Sequence, residues 1–274
     1  MSETFTQEAK KKSVTEYLDA LKWDGTPRID RWLVDCANAE DSSYVRSASR
    51  ALLVAAVRRA RQPGCRFDQM PVLDGPQGCG KSAALRVLAV EDAWFCDDLP
   101  RLDGDSRAII EATAGKWIVE AGEIQHMLQG DNAEEAEDAE AEEPDDDDDD
   151  AEGDDNEDDA DEEGDDDEED GLPPAAARRA QTQLKVFLSR QADEARMPYQ
   201  RERTRVPRQF VVVGTTAATP FLSDMSGQRR ILPIHVGRFD LVRLAEVRDQ
   251  LWAEAATVEA SGESICLDVI APSA

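Results

Sequence analysis

The sequence predicts an α/β fold: a mainly parallel sheet with helices on its faces, preceded by a small helical region and interrupted by a long acidic insertion. Three observations carry that reading. From Gln69 onward, short apolar runs alternate with helical segments, the pattern of strands joined by crossover helices. One of those runs leads into a glycine-rich turn, residues 75–82, which itself opens a helix. Of the 60 acidic residues in the 274-residue chain, 29 lie between 131 and 170, where there is no Lys or Arg. The net charge of -29 therefore belongs to one segment, because the other residues balance 31 acids against 31 bases. A uniformly acidic, salt-adapted surface is excluded.

The elements follow in order. Ser13 and Glu16 form a capping-box pattern for a first helix with Val14, Tyr17, Leu18 and Leu21 on one face, stopped by Asp24-Gly25-Thr26-Pro27. A second short helix covers Ile29 to Cys36. Ser42 or Ser43 caps a third that runs to about Arg61, with Tyr44, Ala48, Ala51, Leu52 and Ala55 recurring at helical spacing, and Pro63-Gly64 ends it. Its arginines (Arg46, Arg50, Arg58, Arg59, Arg61) read as a solvated face more readily than as a nucleic-acid surface. Beyond them, Met70 to Leu73 is a strand, Lys81 to Ala89 a helix, Trp117 to Val119 a second strand, Phe210 to Val213 a third and Ile231 to Val236 a fourth. A helix carrying Leu184, Val186, Phe187 and Leu188 precedes the third strand. Leu241 to about Val258 is a closing helix with Leu244, Val247, Leu251, Trp252 and Ala255 inward. The acidic stretch has no aromatic or β-branched residue, so it cannot bury enough apolar surface to offset its ordering entropy, and it reads as disordered. The expected organisation is a helical region at 1–66, a first part of the core at 67–130, the insertion at 131–171, and a second part of the core at 172–274.

Several classes drop out. The longest apolar run, Ala51 to Val57, is far shorter than the roughly 20 residues of a membrane-spanning helix. The N-terminal lysines are followed by no apolar stretch and no cleavage site of small residues, so a cytoplasmic protein is expected. Five scattered cysteines, with no C-x-x-C pair and only His126 and His235 as co-ligands, read as buried reduced thiols rather than a metal site or a disulfide framework.

Residues Gly75-Pro76-Gln77-Gly78-Cys79-Gly80-Lys81-Ser82 fit G-x-x-x-x-G-K-[ST] in full, with Ala83 continuing into the helix. Glycines let the backbone turn its N–H groups inward onto phosphate, Lys81 reaches the β and γ phosphates, and the Ser82 hydroxyl completes a magnesium shell. The strand before and the helix after supply the context, so the expected ligands are ATP and Mg²⁺ in a P-loop NTPase fold. Such a site needs a carboxylate at the end of a neighbouring strand. Trp117-Ile118-Val119-Glu120 provides it: Glu120 suits the metal side and Glu123 the orientation of water, with the division between them open. Asp97 and Asp98 are weaker candidates. Thr215 and Thr216 end the third strand where a hydroxyl senses the γ phosphate. Arg229 or Arg230 is a candidate arginine finger, supplied to a neighbouring subunit, against the plainer reading of an ion pair at the sheet edge. Arg201, Arg203 and Arg205, spaced by two, set three like charges on one side of an extended segment, which suits a phosphate backbone.

At this point the chain resembles the virulence-associated protein E family, phage- and island-borne P-loop ATPases related in outline to superfamily 3 helicases and the wider AAA+ group. The resemblance rests on EYLDALKWDGTPRIDRWL at 16–33, PVLDGPQGCGKSAALRVLA at 71–89, WFCDDLP at 94–100, GKWIVEAGE at 115–123, LKVFLSRQADEARMPYQR at 184–201, FVVVGTT at 210–216 and SGQRRILPIHV at 226–236. It implies ATP hydrolysis by a ring-forming, helicase-like homo-oligomer, a hexamer among the forms open to it, working on phage or island DNA, single-stranded DNA first, with Lys81, Ser82, Glu120 and Arg230 in the roles above. Two departures stand out. The family has an asparagine directly after Gly-Thr-Thr, where this chain has Ala217, and alanine cannot hydrogen-bond a phosphate or a water, so slowed hydrolysis is implied. The acidic insertion replaces a short connection, and its charge suggests a brake laid over an arginine-rich surface, with a solvated spacer as the alternative. Two further readings therefore stand beside the helicase: a nucleotide-binding assembly module with weak hydrolysis, and a binder of basic proteins through the acidic loop.

Overall fold

The computed structural model describes residues 13–100, 102, 106–122, 175–198, 202–217, 230–265 and 267. The expected insertion, Glu123, Arg201 and Arg229 lie outside them.

The chain begins with the capping box that Ser13 and Glu16 encode. The Ser13 hydroxyl accepts the Glu16 N–H at 3.2 Å and the Glu16 carboxylate accepts the Ser13 N–H at 2.9 Å, starting α1 (Val14–Ala20). Helix α2 (Trp32–Ala37) begins three residues later than the sequence predicts. The Glu254 carboxylate accepts the backbone N–H groups of Arg28 (2.6 Å) and Ile29 (3.0 Å), which pins this stretch as a turn before the helix starts. Helix α3 (Ser43–Arg61) is capped by Ser42, whose side chain accepts the Val45 N–H.

The arginines of α3 form the expected solvated face only in part: Arg46 is exposed and pairs with Asp41 at 2.6 Å, but the others turn to partners within the fold. Arg50 holds Glu263 through two bonds (2.5 and 2.8 Å) and Asp30 through a third (2.9 Å), and Arg58 and Arg61 share Glu259. Arg59 is buried, donating to the Phe67 carbonyl at 2.8 Å. Carboxylates far along the chain take up the charge, a partnership that helical spacing cannot reveal.

The sheet contains β1 (Met70–Asp74), β2 (Phe95–Cys96), β3 (Ile118–Ala121), β6 (Val211–Thr216) and β7 (Ile231–His235), all parallel, in the order β2-β3-β6-β1-β7. The remaining strands, β4 (Ala192–Arg196) and β5 (Arg203–Pro207), pair antiparallel in a separate two-stranded ribbon. Helices α4 (Lys81–Ala89), α5 (Ser106–Thr113), α6 (Ala175–Ser189) and α7 (Leu241–Ala260) complete the described elements. The expected α/β fold with a mainly parallel sheet is present. The sequence reading leaves β2, α5 and β4 unassigned and gives β5 only as an extended segment through Arg203 and Arg205.

Alternation along the strands divides the apolar side chains between two clusters. Leu73, Ile118, Val211, Val213 and Ile234 join α1–α4 and α7 on one side, while Met70, Val72, Val119 and Val212 pack with Ile109 of α5 and Leu184 and Phe187 of α6 on the other. The first cluster is built around Trp117 and Trp252, both fully buried with ring centroids 4.2 Å apart. Their indole N–H groups reach the carbonyls of Ala56 (2.9 Å) and Leu88 (3.0 Å), so α3, the sheet and α7 share one core.

Residues 236–240 run between the N-terminal helices and the glycine-rich loop. Gly237 N–H donates to the Ala37 carbonyl, Asp240 N–H to Cys36 and Phe239 N–H to Cys79. Cys36, Cys65, Cys79 and Cys96 are free thiols, and burial pushes that of Cys36 up to about 11. Among the described residues no helix is long and apolar enough to cross a membrane.

Candidate functional site

In a parallel sheet the loops that follow the carboxyl ends of the strands gather on one edge, where ligands of open α/β folds bind. Here that edge carries a cleft of about 470 Å³. The loop after β1 forms one wall, and its geometry depends on glycine. Gly78 and Gly80 have φ of 74° and 97°, the left-handed region, and a Cβ on Gly75 would run into the carbonyl oxygen of Val236. Gly80 then caps α4, whose N-terminus faces the cleft through Lys81, Ser82 and Ala83. Gln77, Gly78 and Gly80 also line the cleft, whereas Cys79 is buried. Lys81 Nζ donates to the carbonyls of Gly75 (2.5 Å) and Pro76 (3.0 Å) and lies 3.8 Å from Cys79 Sγ.

Glu120 reaches the cleft from β3 and is 3% exposed. Its Oε1 accepts two hydroxyls, Ser82 Oγ at 2.7 Å and Thr215 Oγ1 at 2.8 Å, while Oε2 is buried with no hydrogen-bond partner. Register decides which threonine meets it. Glu120 is paired with Val213, so Thr215, two residues on, shares its face. Thr216 also lines the cleft but belongs to the opposite face, in register with Asp74. Asp74, at the end of β1 just before the loop, is a buried carboxylate that the sequence reading did not single out. It is 1% exposed, its Oδ2 sits 2.7 Å from His235 Nδ1, and register places it between Thr216 and His235. The available signal was a carboxylate closing an apolar strand directly before Gly75.

The other candidates divide. Asp97 lines the cleft, held at 2.6 Å by Arg86, and Ala217 lies at the rim. Arg230 stands at the start of β7, beside the beginning of β1, hence at the amino edge of the sheet. A five-residue strand spans about 16 Å, so Arg230 does not join the cleft of its own chain. Its guanidinium donates to the Lys185 carbonyl (2.9 Å) and faces Asp68 (3.4 Å).

The ribbon stands apart from the cleft. Its outer face carries Glu194, Arg196, Arg203 and Arg205, all exposed, and two of the three arginines expected on an extended segment, Arg203 and Arg205, are among them.

Residues 18–138 and 172–271 match the virulence-associated protein E-like domain. The chain belongs to that family. The match covers both halves of the core and steps over 139–171, so those residues stand outside the family's domain. No curated protein sequence matches this family member. In three dimensions it is similar to an apo structure of the NrS-1 C-terminal region (305–718), with a TM-score of 0.49 and 10% identity over 87% of this chain and 48% of that one. A second apo form of that region aligns at 0.46 and 10% identity, over 87% and 47%. The chain thus spans about half the length of the structures it resembles.

Proposed function

We propose that this chain is the ATP-binding and hydrolysing part of a helicase-like machine, a P-loop NTPase acting on DNA as a ring of identical subunits. One observation carries the reading: Ser82 and Thr215 converge on one oxygen of a buried carboxylate at the foot of a glycine-rich loop, and the second oxygen is bare. Buried charge left without a cation is costly, and a hard divalent ion is the natural complement of hydroxyl and carboxylate oxygens. Ser82 and Glu120 would hold Mg²⁺, which when bound supplies charge neutralisation to the β and γ phosphates. The loop N–H groups and the start of α4 bind phosphate. Lys81 exchanges the Gly75 and Pro76 carbonyls for phosphate oxygens, a stronger, charge-assisted pairing. Thr215 fixes the orientation of Glu120 on the metal side, and orientation of the attacking water is left to Glu123. Arg230, too far from its own cleft, would act on the neighbour's, and the arginines of the ribbon would contact the DNA backbone.

Ala217 favours a second reading, a nucleotide-dependent assembly module with little turnover, because the rim position after Thr216 carries no hydrogen-bonding group. An ATPase assay on the purified chain, with and without single-stranded DNA and beside Lys81→Ala, separates the two. Turnover stimulated by DNA and abolished in the variant is expected. ATP binding without turnover supports the assembly module, and absence of ATP binding overturns both.

A further inference from the structure

The antiparallel ribbon carries a charge pattern that nothing else in the described structure answers. Glu194 and Arg205 oppose each other across the ladder and form an ion pair at 3.3 Å. One step towards the tip, Arg196 opposes Arg203 on the same exposed face. Like charges directly across a ladder destabilise it, and neither arginine has a carboxylate partner among the described residues. The inner face is satisfied, with Ala195 and Asp193 buried and Asp193 paired to Arg208. The outer face thus carries two arginines without a carboxylate partner among the described residues, a cationic surface that suits an anion.

We propose that its occupant in the resting chain is the acidic segment 139–171. These 33 residues contain 24 acids and no Lys, Arg or His, and they are the part that the family's domain does without. The described chain stops at Gly122, which lines the cleft, and resumes at Ala175, where α6 begins and runs directly into β4. Helix α6 is about 22 Å long at 1.5 Å per residue. The intervening sequence of some 50 residues is long enough to cover that distance, since even a random coil of that length averages on the order of 40 Å end to end. Attachment in one chain gives an effective concentration in the millimolar range, enough for weak ion pairs to hold. Resting on the DNA-binding role proposed above for the ribbon, the segment then acts as a phosphate mimic that DNA must displace.

The test uses the full chain in two measurements. In the first, a glutamate-specific protease digests the wild type and Arg196→Ala/Arg203→Ala, and cuts within 139–171 are timed. Both arginines are exposed, so the fold should survive, which an unchanged melting temperature verifies. Docking predicts cleavage about fivefold faster in the variant at low salt and a difference erased near 0.5 M salt, where the screening length falls to a few ångströms. Equal rates at low salt overturn the proposal, whatever the chain does with DNA. In the second, binding of a single-stranded oligonucleotide is compared between the full chain and a deletion of 139–171. Deletion should tighten binding about fivefold at low salt and little at high salt. Unchanged affinity overturns the competition. If no form binds DNA yet the segment is protected by Arg196 and Arg203, the docking stands and the DNA-binding reading fails.

Discussion

Two carboxylates in this molecule are buried to the same degree and handled in opposite ways. Asp193 and Glu120 are each 3% exposed. Asp193 is closed: both oxygens receive the Arg208 guanidinium, at 2.7 and 2.6 Å, and that guanidinium lies over Phe187, 4.1 Å from the ring centroid, and donates to the Phe187 carbonyl. Glu120 is open: two hydroxyls share one oxygen, no Lys or Arg among the described residues forms an ion pair with it, and the other oxygen is bare. A charge that serves the fold is neutralised within it, because an unpaired ion in the interior costs several kcal/mol. A charge left uncompensated beside a cleft is held for something that arrives.

The sharpest way to break this contrast is at Arg208. Arg208→Ala strands Asp193, and chemical denaturation should report a loss of about 3–5 kcal/mol, partly recovered when Asp193→Asn is added. Glu120→Gln should behave in the reverse sense. It keeps an acceptor for Ser82 and Thr215 and removes the uncompensated charge, so the denaturation midpoint holds or rises while ATP turnover falls by about 10²-fold or more. A stability loss like that of Arg208→Ala would place Glu120 among the structural charges. Ala217→Asn restores a hydrogen-bonding group at the rim of the cleft. One added bond to a charged group corresponds to about tenfold in steady-state turnover, and no change would remove Ala217 from the account of hydrolysis.

The smallest effect belongs to exposed pairs. Arg46 and Arg31 hold the Asp41 carboxyl down to about 2, and Arg50 holds Glu263 below its usual range. Depressed carboxylates stabilise the fold above their unfolded value near 4, and that contribution disappears as the pH falls through about 2. Burial raises Glu254, whose contribution has the opposite sign and is lost as the pH rises through its folded value. Melting temperatures between pH 5 and 2 should therefore decline, and less steeply in Arg46→Ala, where one of the two partners of Asp41 is gone.

What could be read from the sequence was whatever depends on near neighbours in the chain. Lys81–Ala89 forms a helix with the expected bounds because loop, cap and apolar spacing are contiguous. Glu120 stood out because an apolar strand ends in a carboxylate. Strand β4 was hidden: Asp193 is buried by an arginine fifteen residues away, which breaks the apolar alternation that marks a strand. The choice of Thr215 over Thr216 depends on the pairing of β6 with β3, and the remoteness of Arg230 on β7 running parallel to β1. Both are facts of topology that no local pattern contains.

The stretch from Val236 to Asp240 has a mechanical consequence. It is bonded to the end of α2 through Ala37 and Cys36, to the glycine-rich loop through Cys79, and it places the Val236 carbonyl against Gly75. The N-terminal helices and the phosphate loop are thus two ends of one short lever. A substitution that shifts α2 should therefore be felt at the loop, and one that distorts the loop should be felt at α2.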